Sequence, residues 1–281
     1  MISNHEQDNL LRRVREIRLR RYRRLRLLLE DKHEMPLLGQ VPLKTREAIM
    51  EIDKIYNIDC EKGMALLPEG YNYCIVTDPP FNIGYHYNKY RDKMEETEYY
   101  KWLAKIIGGR PCCIIHYPEA LYKLAFYIGD FPQRVVSWVY NSNTPRQHRD
   151  AAYFGVKPNF NLVRQPYKNP NDRRIMERMA KGFVGSKCYD WVEINQVKNV
   201  SKKANKNGIT HPCQMPEEVM RRLVGIIPED FVIVDPFIGS GTTAIAAIKQ
   251  KRHFIGMELD KEYYDIACKR VKDELINPTL F

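Results

Sequence analysis

The sequence predicts an α/β fold with a mainly parallel β-sheet. Two short apolar runs, residues 74–77 and 231–234, each end at an aspartate that is followed by proline. A strand buried on both faces loses its polar alternation, and proline cannot donate to a strand ladder, so each run is typical of a buried strand that stops at its aspartate. Further strand-like runs alternate with helical patterns, and this alternation favours parallel strands.

The predicted elements begin near residue 54 and follow one another along the chain. Strands are expected where β-branched and aromatic residues cluster, and helices where apolar residues recur at helical spacing. The predicted strands are 55–58, 73–77, 112–115, 135–140, 231–234 and 254–257, and the predicted helices are 61–67, 95–107, 216–226, 244–249 and 263–276.

Between residues 141 and 210 the alternation of strands and helices is lost. This stretch contains many Lys, Arg and Asn residues and few aliphatic ones. A long irregular segment within a compact domain is usually functional or disordered. Its polar side chains are of the types that reach the base edges of nucleic acid, so an insert that reads DNA is predicted.

Length, charge and cysteine content narrow the class of protein. With 281 residues, the chain can form one large α/β domain with additions but hardly two full catalytic domains. Its formal net charge of +10 and pI near 9.1 favour a polyanionic partner such as nucleic acid, the alternative being a basic protein without one. Seven cysteines without a CxxC pair predict reduced thiols in a cytosolic compartment and no metal site. No apolar segment approaches the ~18 residues of a membrane span, and the charged start does not resemble a signal peptide.

The first 50 residues are expected to form a separate arm and linker. Nine arginines lie between Arg12 and Arg26, and neither glycine nor proline interrupts the stretch before Pro36. A helix with arginine on most of its circumference is predicted. Such a helix could lie along phosphates, where each neutralised phosphate adds affinity that is independent of sequence. A solvated extension and a protein-binding helix are the alternatives.

The tetrapeptide Asp78-Pro79-Pro80-Phe81 follows the first buried strand. Its two prolines fix φ and hold Asp78 extended, so that backbone carbonyls are left without partners beside an acidic side chain and an aromatic ring. That combination suits a flat heterocycle with an exocyclic amino group, which donates two hydrogen bonds and stacks. A proline-stiffened strand exit with Phe81 in the core is the alternative.

A second motif follows the strand at 231–234. Residues 235–243 read Asp-Pro-Phe-Ile-Gly-Ser-Gly-Thr-Thr, a helix comes next, and a further strand ends at Glu258. This is the βαβ unit that binds nucleosides, in which glycines admit the ligand close to the backbone and the distal acid accepts ribose hydroxyls. The loop lacks the lysine of a phosphate-binding loop and does not match GxGxxG, so an adenosyl ligand without phosphates is predicted.

Together the two motifs resemble those of the S-adenosylmethionine-dependent DNA amino-methyltransferases, which modify N6 of adenine or N4 of cytosine. Their order, with the basic segment between them, is similar to the β-group of that family. The resemblance covers about residues 54–275 and implies a Rossmann-like methyltransferase domain over 51–281, with a mainly parallel seven-stranded sheet and a target-recognition insert at 141–210. It implies DNA as partner and S-adenosylmethionine as cofactor, without a metal or a membrane, and it leaves room for a homodimer.

The resemblance also implies roles for individual residues. Asp78, Pro79, Pro80 and Phe81 would hold the flipped target base and accept hydrogen bonds from its amino group. The cofactor would be held by the positions that match the family's other motifs, which are Asp59, His211, Pro212, Asp235, Pro236, Phe237, Gly239, Ser240, Gly241, Thr242 and Glu258. DNA contacts are expected from Arg146, Gln147, His148, Arg149, Lys202 and Lys203.

Within the cofactor set, Glu258 would bind the ribose and Asp59 would meet the adenine. Residues 211–216 resemble the family's HPTQKP element, with Cys213 and Met215 as departures, so the expected hydroxyl near the cofactor carboxylate is missing at 213. Alternatively, Asp59 caps a helix and His211 ends a loop.

Adenine-N6 methylation is the expected activity, because Asp78 stands where cytosine-N4 members of the family more often carry serine. Cytosine-N4 methylation is the alternative within the family. A DNA-binding subunit that keeps the fold without catalysis is the alternative outside it.

Overall fold

The fold is described from a computed structural model for residues 50–85, 92–197 and 214–276, within the compact unit Ala48–Phe281. The strands are β1 (Lys54–Asn57), β2 (Asn72–Thr77), β3 (Cys112–His116), β4 (Arg134–Val139), β5 (His148–Phe154), β6 (Arg164–Gln165), β7 (Ser186–Lys187), β8 (Trp191–Glu193), β9 (Phe231–Asp235) and β10 (Phe254–Glu258). The helices are α1 (Cys60–Ala65), α2 (Glu96–Ile107), α3 (Pro118–Ile128), α4 (Arg173–Ala180), α5 (Glu217–Gly225), α6 (Thr242–Lys249) and α7 (Lys261–Ile276).

Eight of these strands form one sheet in the order β1-β10-β9-β2-β3-β5-β4-β8. β5 runs antiparallel to its neighbours β3 and β4, and the other pairings in this sheet are parallel. The carboxyl ends of β1, β2, β9 and β10 therefore meet at one edge, where ligands of open α/β sheets bind. The prediction of an α/β fold with a mainly parallel sheet is confirmed.

Helices cover both faces of this sheet. Cys74 and Val76 of β2 belong to the buried cluster that contains Leu223 of α5, whereas Ile75 between them belongs to the cluster that contains Leu103 of α2. Because successive side chains of a strand point to opposite faces, the two clusters are the cores on either side of the sheet. The lack of polar alternation in β2 follows from this double burial.

The sheet has one strand more than the seven expected, and the segment 141–210 contributes to it. β8 pairs with β4, and β5 is a central strand whose residues 151–154 are buried. β5 was not predicted because it opens with the polar residues His148, Arg149 and Asp150 and its buried part is short. The segment is thus partly built into the domain, which corrects its description as wholly irregular. Its role in reading DNA stays a prediction.

Helix α3 was also not predicted. Its start is fixed by Pro118, which suits the first helical turn, and its end by Gly129, whose φ of 72° lies in the left-handed region. Leu124 is buried, but Tyr122 and Phe126 are exposed, so the apolar pattern of the segment is not one-sided.

Several predictions fall outside the described residues: those for the arginine-rich arm and for Lys202, Lys203, His211 and Pro212. Among the helices of 50–85, 92–197 and 214–276, none has the length and apolar character that crossing a bilayer requires.

Candidate active site

A cavity of about 220 Å³ opens at the carboxyl edge of the sheet. Residues of both predicted motifs line it, among them Asp78, Phe81, Asp235 and Gly239, together with Glu258 at the end of β10. The two motifs meet because β2 and β9 are adjacent parallel strands, although they lie far apart in the sequence.

Asp78 lines this cavity with a largely buried carboxylate, 17% of whose side chain is exposed. Its Oδ1 is buried and receives no hydrogen bond from the described part of the chain, and its Oδ2 lies 3.4 Å from Nη1 of Arg149. Burial raises the pKa of Asp78 to about 6, while the Arg149 charge opposes the rise and Asp235 adds to it. A buried acceptor without a donor is costly, so this oxygen is suited to a ligand that brings an N–H group.

Phe81 is half-buried and forms part of the cavity wall, which excludes the alternative of a core phenylalanine. His116 stacks on its ring with centroids 4.2 Å apart and planes 21° from parallel, and Tyr117 meets it edge-on at 5.0 Å. The guanidinium carbon of Arg149 lies 4.7 Å from the same ring centroid. The orientation of Phe81 is thus fixed by three neighbours.

A relay of hydrogen bonds holds the turn of the two prolines. The backbone N–H of Tyr117 donates to Nδ1 of His116 at 2.8 Å, so the neutral ring carries its proton on Nε2. Nε2 then donates to the Tyr99 hydroxyl at 3.1 Å, which donates to the Pro80 carbonyl at 2.7 Å. Burial, together with the Arg149 charge, lowers the pKa of His116 to about 3 and keeps the ring neutral. His116 and Tyr99 were not predicted as site residues, because they belong to apolar segments of β3 and α2.

Asp235 is buried and ties the glycine loop to the sheet. Its Oδ1 accepts hydrogen bonds from the Thr77 hydroxyl at 2.6 Å and the Phe237 backbone N–H at 3.0 Å, and its Oδ2 accepts one from the Thr243 hydroxyl at 2.5 Å. Burial raises its pKa to about 6, although these three hydrogen bonds act in the opposite direction. Since a carboxylate has roughly four acceptor positions, most of its capacity is used to organise the loop.

The glycine loop between β9 and α6 is held closely by helix α7. Gly241 has a φ of 85°, and a Cβ there would lie 3.0 Å from the Cβ of Ala267, so a side chain at this position would be strained. Arg270 donates to the Ser240 carbonyl at 2.6 Å and to the Thr242 hydroxyl at 3.2 Å. The loop therefore has a defined shape before any ligand binds.

Two further acids border the cavity. Glu258 accepts hydrogen bonds from the backbone N–H groups of Gly239 at 2.9 Å and Asp260 at 2.8 Å, one on each oxygen, and burial raises its pKa. Asp59 caps helix α1 through Oδ1, which accepts from two backbone N–H groups of the first turn. The cap considered as an alternative is therefore present, and Asp59 lines the cavity as well.

The charge of the lining indicates which ligands fit the cavity. Its acids are Asp59, Asp78, Asp92, Asp235, Glu258 and Asp260, and the basic side chain among its described residues is Arg149. Such a lining attracts a ligand with positive charge and opposes a phosphate. Trp102 and Phe237, with ring centroids 5.5 Å apart, add flat apolar surface. An adenosyl ligand that carries a sulfonium and an ammonium has these properties.

Hydrogen bonds to Asp92 fix the conformation of the loop that follows the Asp78 motif. Its carboxylate accepts hydrogen bonds from the backbone N–H groups of Asn82 at 2.7 Å and of Ile83 and Tyr85 at 3.1 Å. This carboxylate therefore fixes the wall of the cavity next to Phe81. The sequence offered no sign of this role, because Asp92 lies in a polar stretch without a motif.

Arg149 is not on the surface where a DNA contact was expected. Its side chain is 18% exposed and lies in the cavity beside Asp78, because β5 enters the sheet next to β3. Gln147 closes the loop before β5: its amide donates to the Ser142 carbonyl at 2.9 Å and accepts from the Ser142 N–H at 3.0 Å. A role of Arg149 and Gln147 in binding DNA stays a prediction.

Two of the expected DNA-binding residues remain at the surface. Arg146 forms an ion pair with Glu119, and its guanidinium carbon lies 4.0 Å from the ring centroid of Tyr117. His148 is exposed. No cluster of side chains that could hold a metal ion occurs among the described residues.

Comparison with known protein families identifies relatives of the chain. The model of the N6/N4 methyltransferase family, described as DNA methylase, matches residues 122–269, more than half of the sequence. The Type II methyltransferase M.BglII of Bacillus subtilis is 28% identical over 284 aligned positions, which cover 89% of this chain and 77% of that protein. The Type II methyltransferase M.ScaI of Streptomyces caespitosus is 28% identical over 255 positions, which cover 78% and 81%.

Solved structures share the fold. The PvuII DNA methyltransferase, described as cytosine-N4-specific, superposes with a TM-score of 0.54 at 16% identity and covers 80% of this chain and 93% of its own. The complex of M1.HpyAVI with SAM gives a TM-score of 0.50 at 19% identity and covers 78% and 98%.

Proposed function

This chain belongs to the S-adenosylmethionine-dependent DNA amino-methyltransferases, and on that basis we propose that it methylates the N6 amino group of adenine in duplex DNA. An exocyclic amine as the target is supported by the buried Oδ1 of Asp78, which has no donor within the described chain and lies in the cavity shared by both motifs. An exocyclic amino group, brought there by a flipped base, would supply the missing hydrogen bond. Adenine is favoured over cytosine because position 78 carries aspartate, where cytosine-N4 members of the family more often carry serine.

Asp78 and the Pro79 carbonyl are proposed to hold the two N–H groups of that amine. An exocyclic amine is a poor nucleophile, because its lone pair is delocalised into the ring. Hydrogen bonds from both N–H groups favour a pyramidal nitrogen, which frees the lone pair. Phe81 is proposed to offer a flat surface for the base, and the relay through Tyr99 keeps Pro80 in place.

Bound S-adenosylmethionine supplies a methyl group on a positively charged sulfur. The amine nitrogen forms a bond to the methyl carbon while the carbon–sulfur bond breaks and its electron pair stays on sulfur. The nitrogen then gives up one proton, for which Asp78 is the nearby acceptor. The sulfur needs no acid to leave, so orientation and charge placement by the protein provide most of the rate enhancement.

The cofactor is proposed to lie between the glycine loop and Glu258. Glu258 has one N–H donor on each oxygen and keeps acceptor capacity for two ribose hydroxyls. Asp59 and the acidic remainder of the lining would face the positively charged part of the cofactor or its adenine amine. The proposed cofactor contacts also include four further residues of the glycine loop that line the cavity, namely Pro236, Phe237, Ser240 and Thr242.

DNA contacts are proposed for the segment 141–210 and for the arm 1–50, attached to the domain 51–281. Helix α4 in that segment has no buried residue, and its Arg173 and Arg174 are exposed. An exposed basic helix suits the phosphates of a duplex. Arg146 and His148 remain candidates at the surface, and Lys202 and Lys203 are candidates from the sequence.

The test is incubation with S-adenosylmethionine labelled in the methyl group and duplex DNA, followed by nucleoside analysis and mapping of the modified position. We expect labelled N6-methyladenine. The Asp78→Ala variant, checked for cofactor binding by equilibrium dialysis, is the matched control and should give no labelled nucleoside.

Two other results would replace the proposal. N4-methylcytosine as the sole product would change the target base while leaving the family assignment intact. Cofactor binding without product on any DNA would instead indicate a non-catalytic subunit.

A further inference from the structure

Arg149 occupies the part of the cavity where the proposed target base would bind. Its Nη1 lies 3.4 Å from Oδ2 of Asp78, and its guanidinium carbon lies 4.7 Å from the ring centroid of Phe81. Tyr117 and Trp138 surround the same guanidinium, with ring centroids 5.9 and 5.5 Å away. A flat, largely buried cation therefore sits beside the carboxylate and over the ring at the same time.

The guanidinium resembles the reacting edge of a base in shape and in hydrogen bonding. It is planar, stacks on aromatic rings and donates N–H groups in its plane. A flipped adenine or cytosine offers the same two features to Phe81 and Asp78, namely a flat ring and an amino donor. Two flat groups cannot share the space that lies over Phe81 and next to Asp78, so the base can enter this space only if the guanidinium leaves.

The contact between Arg149 and Asp78 is loose for a buried ion pair, although the Tyr140 side chain is a further hydrogen-bond partner of the guanidinium. Charge-assisted pairs are typically about 2.7–2.9 Å long and often bidentate, whereas a single contact of 3.4 Å joins Arg149 to Asp78. Its Nε is buried without a hydrogen-bond partner among the described residues, as is Oδ1 of Asp78. The pair thus protects Asp78 from being buried alone, yet it leaves donor and acceptor capacity unused on both partners.

We propose that Arg149 is a stand-in for the target base and thereby helps to select it. The inference rests on the proposed function, in which Asp78 and Phe81 hold the base. In the DNA-free enzyme, Arg149 keeps the pocket filled and the carboxylate paired. A base displaces it only by replacing both contacts, and thymine places a carbonyl oxygen, which is an acceptor, where the amine of adenine or cytosine would donate to Asp78.

The experiment compares two duplexes that carry the methylation site, as located by mapping of the modified position. One has the normal target nucleotide and the other has an abasic target, with the same opposite base. Their dissociation constants are measured by fluorescence anisotropy in the presence of S-adenosylhomocysteine, and the ratio abasic to normal reports how favourably the base enters the pocket. The cost of flipping cancels when the ratio is compared between the wild-type enzyme and a variant.

Arg149→Met should raise this ratio, by about tenfold for each 1.4 kcal/mol that displacement of the guanidinium costs. Arg149→Lys, which keeps a charge but lacks the flat group, should raise it less. Arg134→Met is the matched control, since Arg134 pairs with Asp190 and lies over the Phe160 ring without lining the cavity, and it should leave the ratio unchanged. Equilibrium dialysis with S-adenosylmethionine verifies that each variant is folded.

A lower ratio in Arg149→Met would overturn the proposal, because Arg149 would then bind the base instead of yielding to it. An unchanged ratio in both Arg149 variants would also overturn it and leave the residue a structural partner of Asp78. Failure of the proposed function is visible separately, as the absence of any methylated nucleoside from the wild-type enzyme, and it would remove the basis of this inference.

Discussion

At the scale of single residues, Asp78 and Gly239 line one cavity but are expected to serve different partners. Asp78→Ala should abolish methyl transfer and leave cofactor affinity largely unchanged. Gly239→Val should weaken cofactor binding, because a β-branched residue at a φ of 52° costs on the order of 1–3 kcal/mol and disturbs the N–H that binds Glu258. Equilibrium dialysis with labelled cofactor separates the two effects. Equal loss of cofactor in both variants would contradict this division of roles.

The raised pKa of Asp78 predicts a pH dependence of methyl transfer. Below about pH 6 this carboxyl group is protonated, so it is a weaker acceptor for the N–H of the target amine and cannot take up the proton that the amine releases, and kcat/KM should fall as the pH decreases through that value. Initial rates at constant ionic strength between about pH 5 and pH 8 would test this. A rate that stays constant down to pH 5 would show that the ionised form is not required.

Unfolding does not account for such a loss of rate. The pKa values of Asp78 and Asp235 rise on folding from 3.8 to about 6, so the native state binds these protons more readily than the unfolded state. The contribution of both groups to the free energy of unfolding therefore increases as the pH falls through this window. Urea denaturation at the same pH values is the control.

At the scale of elements, the relay from β3 through α2 to the proline turn can be tested separately. Tyr99→Phe leaves the Pro80 carbonyl and the His116 Nε2–H without their partner, which should lower the free energy of unfolding by about 1–3 kcal/mol. Tyr100→Phe is the matched control on the same helix, since the Tyr100 ring stacks on Tyr127 and takes no part in the relay. Urea denaturation measures both. Equal effects of the two substitutions would mean that the relay adds no stability.

Elements with strong local signals could be predicted from the sequence, and those defined by distant contacts could not. β2 and β9 are continuous apolar runs that end at Asp-Pro, and both were predicted close to their observed bounds. The first half of β5 is polar, and its Arg149 faces the buried carboxylate of Asp78. This contact joins distant parts of the chain, so the sequence alone did not indicate a buried strand here. The motif residues that line the cavity could be predicted, but His116, Tyr99 and Arg270 could not, because their contacts join segments far apart in the chain.

At the scale of the whole molecule, the excess of positive charge predicts a salt-dependent affinity for DNA. Deleting residues 1–34 removes ten Lys and Arg against six Asp and Glu, a net change of four positive charges. Each phosphate that the shortened protein no longer neutralises should flatten the slope of log affinity against log salt by roughly 0.9. Binding isotherms at several salt concentrations, on the mapped duplex and on an unrelated one, provide the measurement.

As a control, the methylated position is mapped for the shortened protein and compared with that of the full chain. An unchanged salt slope would make the arm a solvated tail or a protein-binding helix. A changed methylation site would mean that the arm reads sequence in addition to binding phosphates.

The acidic lining of the cavity has a consequence for product release. After transfer, S-adenosylhomocysteine carries a neutral sulfur and Asp78 is the proposed acceptor of the released proton, whereas the other five acids of the lining are unchanged. The acidic lining therefore attracts S-adenosylhomocysteine less strongly than S-adenosylmethionine. This difference in charge favours replacement of the product by a new cofactor molecule after each turnover. We expect S-adenosylmethionine to raise the melting temperature more than S-adenosylhomocysteine at equal concentration, with the difference shrinking as added salt screens the charges. The reverse order would mean that contacts to the neutral thioether outweigh the charge.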